Sequence, residues 1–444
     1  MRKGTKKNII HGILIIIVII FALMASLIAA FRDVTVQSMI ARSVAGELSR
    51  KLETDVKIRT FYITENLNVR AEDVVFNDLD GYPMFKIGQL DAKLHPTMAS
   101  DELRIREVYL KDVLGRIVTY EGYDMMNLKE ILSQLGIKKN DGSNETISNI
   151  YIDKLTLDNG RVVYWNQNKH RPEKKSMDYH HLDIDSIYAQ ITNIEMHNDT
   201  VLGDVQYMRG KDRCGFKLND ASGKVRFCEK SLTVDSLMAQ TGESHADLDL
   251  RFDYDRSHAY YTFIDSVHMT GNIRQSTVLL SDLKYFAWIL DRMPDKFVFT
   301  GQFDGTVSDF TVKDFFAEFG NESFIDADVS FKGLPDFFKS YIDLDVRNMY
   351  SSYEDTKDFA IPSSSVTVPI PEMLAGMGKY SLNGNYHGYP LDFYSQLNLV
   401  SEMGDMVADV YLKTDTDPAY SFNIAAGKVK LDDIIEVGSL RRSS

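Results

Sequence analysis

The sequence predicts a mainly β chain: an N-terminal transmembrane helix, then an elongated, repeat-built β-sheet with a few short α-helices. Three observations lead there. One long apolar run sits near the start, period-two alternation fills most of the remainder, and strand-sized units echo one another along the chain.

The apolar run, residues 12–31, holds twenty residues without a charge, thirteen of them Ile, Leu, Val or Phe. At ~1.5 Å per helical residue it covers the ~30 Å hydrocarbon core of a bilayer. Arg2, Lys3, Lys6 and Lys7 precede it. The positive-inside rule therefore makes residues 1–11 a cytoplasmic basic tail and sends the bulk of the chain to the other side. A cleaved signal peptide fits less well, because its apolar region is normally ~7–15 residues and ends in a small-x-small site. Cutting after Ala30 or Ala29 would put Ile28 or Leu27 at the third position back.

Composition excludes several functions. Asp and Glu number 64 against 50 Lys and Arg, a net charge of −14. Such a surface repels phosphates, so nucleic acid is not an expected partner. The two cysteines, Cys214 and Cys228, make no disulfide framework. They flank the turn signal Asp220-Ala221-Ser222-Gly223. A hairpin looping at residues 220–222 would set Cys214 opposite Cys228, leaving open both a cross-strand disulfide and a pair of buried thiols.

Residues 32–53 read as an amphipathic helix capping the start of the sheet, with Val36, Met39, Ile40, Val44, Leu48 and Leu52 on one face. Val56 and Ile58 open the first strand. Residues 74–79 and 84–94 flank Asp80-Gly81-Tyr82-Pro83, a hairpin turn. Strands at 103–110 and 113–120, a helix at 128–135 and a loop at 140–149 follow. Ile105-x-x-Val108-x-Leu110, then Gly115-Arg116-Ile117-Val118, is echoed by Ile152-x-x-Leu155-x-Leu157, then Gly160-Arg161-Val162-Val163, which predicts a second strand pair. Residues 170–181 read as an exposed loop. In residues 247–253, Leu and Phe alternate with charges, as suits a sheet with one dry and one wet side. A helix is expected at 283–292, closed by Pro294. Gly301-x-x-x-Gly305-x-x-x-Asp309-Phe310 recurs 83 residues on as Gly384-x-x-x-Gly388-x-x-x-Asp392-Phe393, with the glycines read as strand bends or bulges.

No catalytic constellation stands out. HExxH, Walker and Gly-x-Ser-x-Gly motifs are missing from the sequence, and His180-His181 reads as a surface pair. The chain is expected not to be an enzyme and to need no cofactor or metal.

The anchor followed by residues 37–52 and Thr54-Asp55-Val56-Lys57-Ile58 resembles the AsmA/TamB family in its Bacteroidetes-type, TamB-like form. So do Glu72-Asp73-Val74-Val75-Phe76 before an Asp-Gly turn, and residues 301–346 with Lys332-Gly333-Leu334-Pro335-Asp336. The resemblance implies a coiled β-groove (β-taco), with an AsmA-like N-terminal part at residues 54–280 and continuing repeats with a helical insert at 281–444. It also implies a single-pass protein of the inner membrane, with the bulk of the chain periplasmic. Its groove would carry phospholipid toward the outer membrane, and a BamA-like outer-membrane barrel would be a partner. Members of this type run longer and end in a domain this sequence does not show, so the chain is expected to be a truncated member or an N-terminal part.

Candidate groove lining is Leu155, Leu157, Leu248, Leu250, Phe252, Ile342, Leu344 and Val346. The alternative places the same residues in a closed core. Two functions follow: an anchored lipid-transfer protein, or an assembly and secretion factor for outer-membrane proteins working with such a barrel.

Overall fold

The computed structural model describes residues 34–64, 66, 68–95, 102–128, 149–171, 177–197, 200–228, 230–254, 263–286, 295–334, 336–357, 378–414 and 419–427. The predicted span at residues 12–31 and nearly all of the predicted helix at 128–135 lie outside them. Among the described residues no helix is long and apolar enough to cross a membrane. They are mainly β, with nineteen strands and a few short helices. Two compact units divide within β9 (Ser231–Thr241).

The first unit opens with α1 (Val34–Leu52), as the periodicity predicts, but the helix packs through a different face. Gln37, Ser38, Ala41 and Ala45 are buried, whereas Met39 is 64% exposed. The reason lies in what α1 covers. The edge of β1 (Val56–Ile63) presents backbone groups that need partners. Gln37 Nε2 donates to Ile63 O (3.3 Å) and Gln37 Oε1 accepts from Ile63 N (2.6 Å). Ser38 Oγ donates to Phe61 O (3.0 Å) and accepts from Phe61 N (3.1 Å). Two polar side chains thus stand in for a neighbouring strand.

From β1 the chain runs through β2 (Asn68–Asn77), β3 (Pro83–Leu94), β4 (Glu102–Thr119), β5 (Asn149–Asn166), β6 (His181–His197), β7 (Thr200–Asp212) and β8 (Lys217–Phe227). Successive strands pair antiparallel, except that β4 and β5 are parallel. The echo between them is this parallel register: Ile105 faces Ile152, Val108 faces Leu155 and Leu110 faces Leu157. Its second half is slipped by two, since Gly115 faces Val162.

β4 and β5 are each one 18-residue strand, where the sequence suggested pairs. The turn-like residues inside them are left-handed bulge positions: Asp112 has φ 53° and Asn159 φ 62°. Short polar side chains tolerate this region and bend a strand without ending it. Asp73 and Ser186 adopt the same conformation in β2 and β6.

A strand running through turn-like residues also separates the cysteines. No hairpin forms at residues 220–222, because β8 runs through them. Cys214 precedes β8 and Cys228 follows it, separated by eleven strand residues or ~36 Å, so no bridge is possible between them. Both are thiols. His181 is likewise not a surface residue: it opens β6 6% exposed, with Nδ1 2.6 Å from Asp178 Oδ2 and its ring edge-on to Trp165.

The second unit holds β10 (Ser244–Tyr254), β11 (Val267–Leu279), β12 (Lys296–Gly305), β13 (Asp309–Phe319), β14 (Ser323–Lys332), β15 (Tyr341–Ser352), β16 (Lys379–Tyr389), β17 (Asp392–Ser401), β18 (Gly404–Lys413) and β19 (Ala419–Gly427). Each pairs antiparallel with the next. Its helices are short and sit at strand ends: α2 (Phe263–Ser266), α3 (Tyr353–Thr356) and two 3-10 turns, Leu280–Tyr285 and Phe337–Lys339. The first 3-10 turn occupies the start of the helix expected at 283–292; residues 287–294 are outside the described set.

Candidate functional site

Antiparallel partners share a face of the sheet, so the register traces what each face carries. In the second unit one row runs Phe252, Met269, Gly305, Phe310, Phe331, Ile342, Gly388, Phe393, Leu412. The next runs Leu250, Gly271, Phe303, Val312, Val329, Leu344, Tyr386, Ser395, Val410. A third includes Leu248, Ile273, Gly301, then Ala327, Val346, Gly384, Leu397 and Ala408. Every candidate residue from this half of the chain, from Leu248 to Val346, falls on these three rows.

Exposure differs between rows. The third is the most buried, with Ala327 at 0%, Ala408 at 4% and Val346 at 7%. The candidate residues of the first two rows are only half-buried. Small residues mark the third row, and register shifts fall beside it in β10 through β15. The result is an apolar face whose third row is buried and whose first two rows stay half-buried. No described helix lies across it.

The opposite face carries a polar row, although Phe316, Phe324 and Tyr350 stack on that face farther along the strands. Arg251, Thr270, Asp304, Thr311, Ser330, Asp343, His387 and Tyr394 succeed one another across the strands.

The glycine echo has a specific cause. Gly305 ends β12 and Gly388 is the last residue but one of β16, at φ +134° and +139°, and a Cβ on either would lie 2.3 Å from the carbonyl of Asp309 or Asp392. Each faces the first aromatic of the following strand, Phe310 or Phe393. The echo belongs to a longer repeat of four strands. Ser236 N donates to Asp249 (2.7 Å), as Asp314 N does to Asp328 (2.8 Å). Arg274 bridges Asp247 and Asp249, as Arg347 bridges Asp326 and Asp328. The signal was in the sequence: Asp247-Leu248-Asp249-Leu250-Arg251-Phe252 matches Asp326-Ala327-Asp328-Val329-Ser330-Phe331 in its alternation. Aspartates beside arginine are held ionised: the Arg347 hydrogen bond keeps Asp328 below the usual carboxylate range.

In the first unit the row through Leu157 is Phe61, Ala71, Leu90, Leu110, Leu157, Ala189, Met208 and Ala221. Leu155 is half-buried like Leu157 on the same strand. It packs against a closed core formed by Ala41 of α1 with Phe61, Val69, Leu103, Ile105 and Ile150.

One buried polar cluster escaped the sequence reading. Asp78, 1% exposed, accepts from Tyr120 OH (2.6 Å), Asn127 Nδ2 (3.0 Å) and Tyr82 N (2.8 Å), with Arg116 Nη1 at 3.4 Å. Burial, then the bond to Asp78, pushes the Tyr120 phenol up to about 12. Every member is engaged in fastening the β2–β3 turn to the end of β4, so the cluster is structural.

No family model, curated protein or solved structure matches the chain.

Proposed function

We propose that the chain is a lipid-transfer protein, anchored by residues 12–31 in the inner membrane, whose apolar β-face carries phospholipid acyl chains through the periplasm toward the outer membrane. The observation that supports this most is the set of half-exposed apolar rows crossing ten successive strands of the second unit. At ~4.8 Å per strand that face extends ~43 Å across the sheet. A sixteen-carbon chain in water costs roughly 12 kcal/mol at ~0.8 kcal/mol per CH₂. A surface of this kind removes much of that cost at every step. The sequence resemblance to the AsmA/TamB family points the same way.

The test is the lipid content of the full chain purified in mild detergent. Phospholipid is expected to co-purify, and Leu250→Asp with Leu344→Asp to lower the load severalfold while the circular dichroism of the sheet persists. A wild-type preparation without lipid overturns the proposal. Crosslinking to an outer-membrane barrel that survives both substitutions would favour the assembly-factor reading instead.

A further inference from the structure

The antiparallel strands of the second unit turn back at two margins. At one of them β12, β14, β16 and β18 end and β13, β15, β17 and β19 begin. There Phe338 of the second 3-10 turn, Tyr341 at the start of β15, and Tyr389 and Leu391 at the β16–β17 turn are all exposed, Leu391 at 51%. Tyr341 meets Tyr389 edge-on, with ring centroids 5.5 Å apart. Single exposed apolar residues call for no explanation, but a set gathered along one margin marks a contact.

The backbone fixes these tips in place. Ser308 N donates to Ile264 O (3.2 Å) and Gly333 N to Ser308 O (2.7 Å), which ties α2, the β12–β13 turn and the β14–β15 connection together. Thr414 N donates to Leu391 O (3.1 Å), which ties the β16–β17 turn to the end of β18. Side chains presented on a fixed frame lose little freedom on binding.

The surroundings match a bilayer surface. Tyrosine suits the head-group level, where its ring is covered and its hydroxyl stays wet. Lys332 and Lys339 are exposed among the rings and have stems long enough to snorkel. The acids here are balanced: Asp336 pairs with Lys339 (3.0 Å), and Asp309 and Asp392 stand across from Lys332 and Lys413. At the opposite ends of the same strands the turns expose Glu322, Glu354 and Glu402, whose charges resist insertion. The apolar row nearest the aromatic margin, with Phe310, Phe331, Ile342 and Phe393, is half-buried, so apolar surface continues from the turns into the sheet.

We propose that this margin is a docking edge for a lipid bilayer, seated with Phe338, Tyr341, Tyr389 and Leu391 among the head groups. Docking stands on the margin itself. Passage of lipid between that bilayer and the apolar rows rests on the carrier reading above.

The test places single tryptophans in the full chain as Leu391→Trp, Phe338→Trp and, at the opposite end of β17, the similarly exposed Val400→Trp. Each is reconstituted in phosphatidylcholine vesicles holding a bilayer-spanning poly-leucine peptide with a nitroxide at the head-group level. The peptide stays in the bilayer, so quenching reports contact with the bilayer and not with lipid held on the sheet. Emission above that of wild type is expected to fall severalfold more for Leu391→Trp and Phe338→Trp than for Val400→Trp. All three positions are exposed, so the circular dichroism of the sheet is expected to persist. Either of the first two quenched no more than Val400→Trp would overturn the docking. Quenching at both turns with no lipid on the purified chain would sink the carrier reading and leave the docking standing; lipid on the chain without quenching would do the reverse.

Discussion

At Gly388 the backbone sits at φ +139° and a side chain has nowhere to go, with Asp392 O 2.3 Å from an ideal Cβ. Gly388→Val therefore strains both the backbone and the hairpin it begins. A loss of ~2–3 kcal/mol is expected, read as a lower midpoint in urea. An equal midpoint would show that the turn adapts. The 83-residue echo was legible because glycine is the residue such a position requires. Asp112 and Asn159 were not legible in the same way. Short polar residues serve both turns and bulges, and only the partner strand decides which.

Among elements, α1 shows how a correct boundary hides a wrong face. Its periodic apolar residues predict the packing stripe, but sheet edges need hydrogen-bonding groups, and Gln37 with Ser38 supplies them. Replacing both by Ala leaves two backbone donors and two acceptors of β1 without these partners. The expected cost is ~1 kcal/mol per hydrogen bond, together with concentration-dependent association through the bared edge. Light scattering on the double variant, with Met39→Ser as a control on the exposed side, separates this from general loosening. A monodisperse, equally stable Q37A/S38A protein would show that the clamp is dispensable. The parallel β4–β5 pair was half visible: its echo gave the matching residues, while direction depended on a crossover that no pattern reported.

For the whole molecule, charge governs the response to acid. Asp183, hydrogen-bonded by Arg161, and Asp328, hydrogen-bonded by Arg347, titrate below the usual carboxylate range in the folded chain. A depressed folded pKa contributes stability that is fully present above the unfolded value, near 4, and is lost as pH falls through the folded one. Thermal midpoints should therefore hold steady from pH 7 to about 5 and fall steadily below about 4. A chain as stable at pH 3 as at pH 7 would show that these pairs contribute nothing. With a net charge of −14, protonation also relieves self-repulsion. A fall below pH 4 would mean that pairing outweighs it.

The sequence by itself determined that this is a β protein with one dry and one wet face, because alternation commits each strand's side chains to opposite sides before any strand has found its neighbour. It also determined where the aliphatic rows would lie. Only the tertiary structure decided which apolar residues gather into the buried cluster beside α1, as Phe61, Val69 and Ile105 do, and which stay half-buried, as Leu155, Leu250 and Leu344 do. That choice depends on register, bulges and what covers the sheet, all of them relations between segments far apart in the chain, whereas period-two alternation is local.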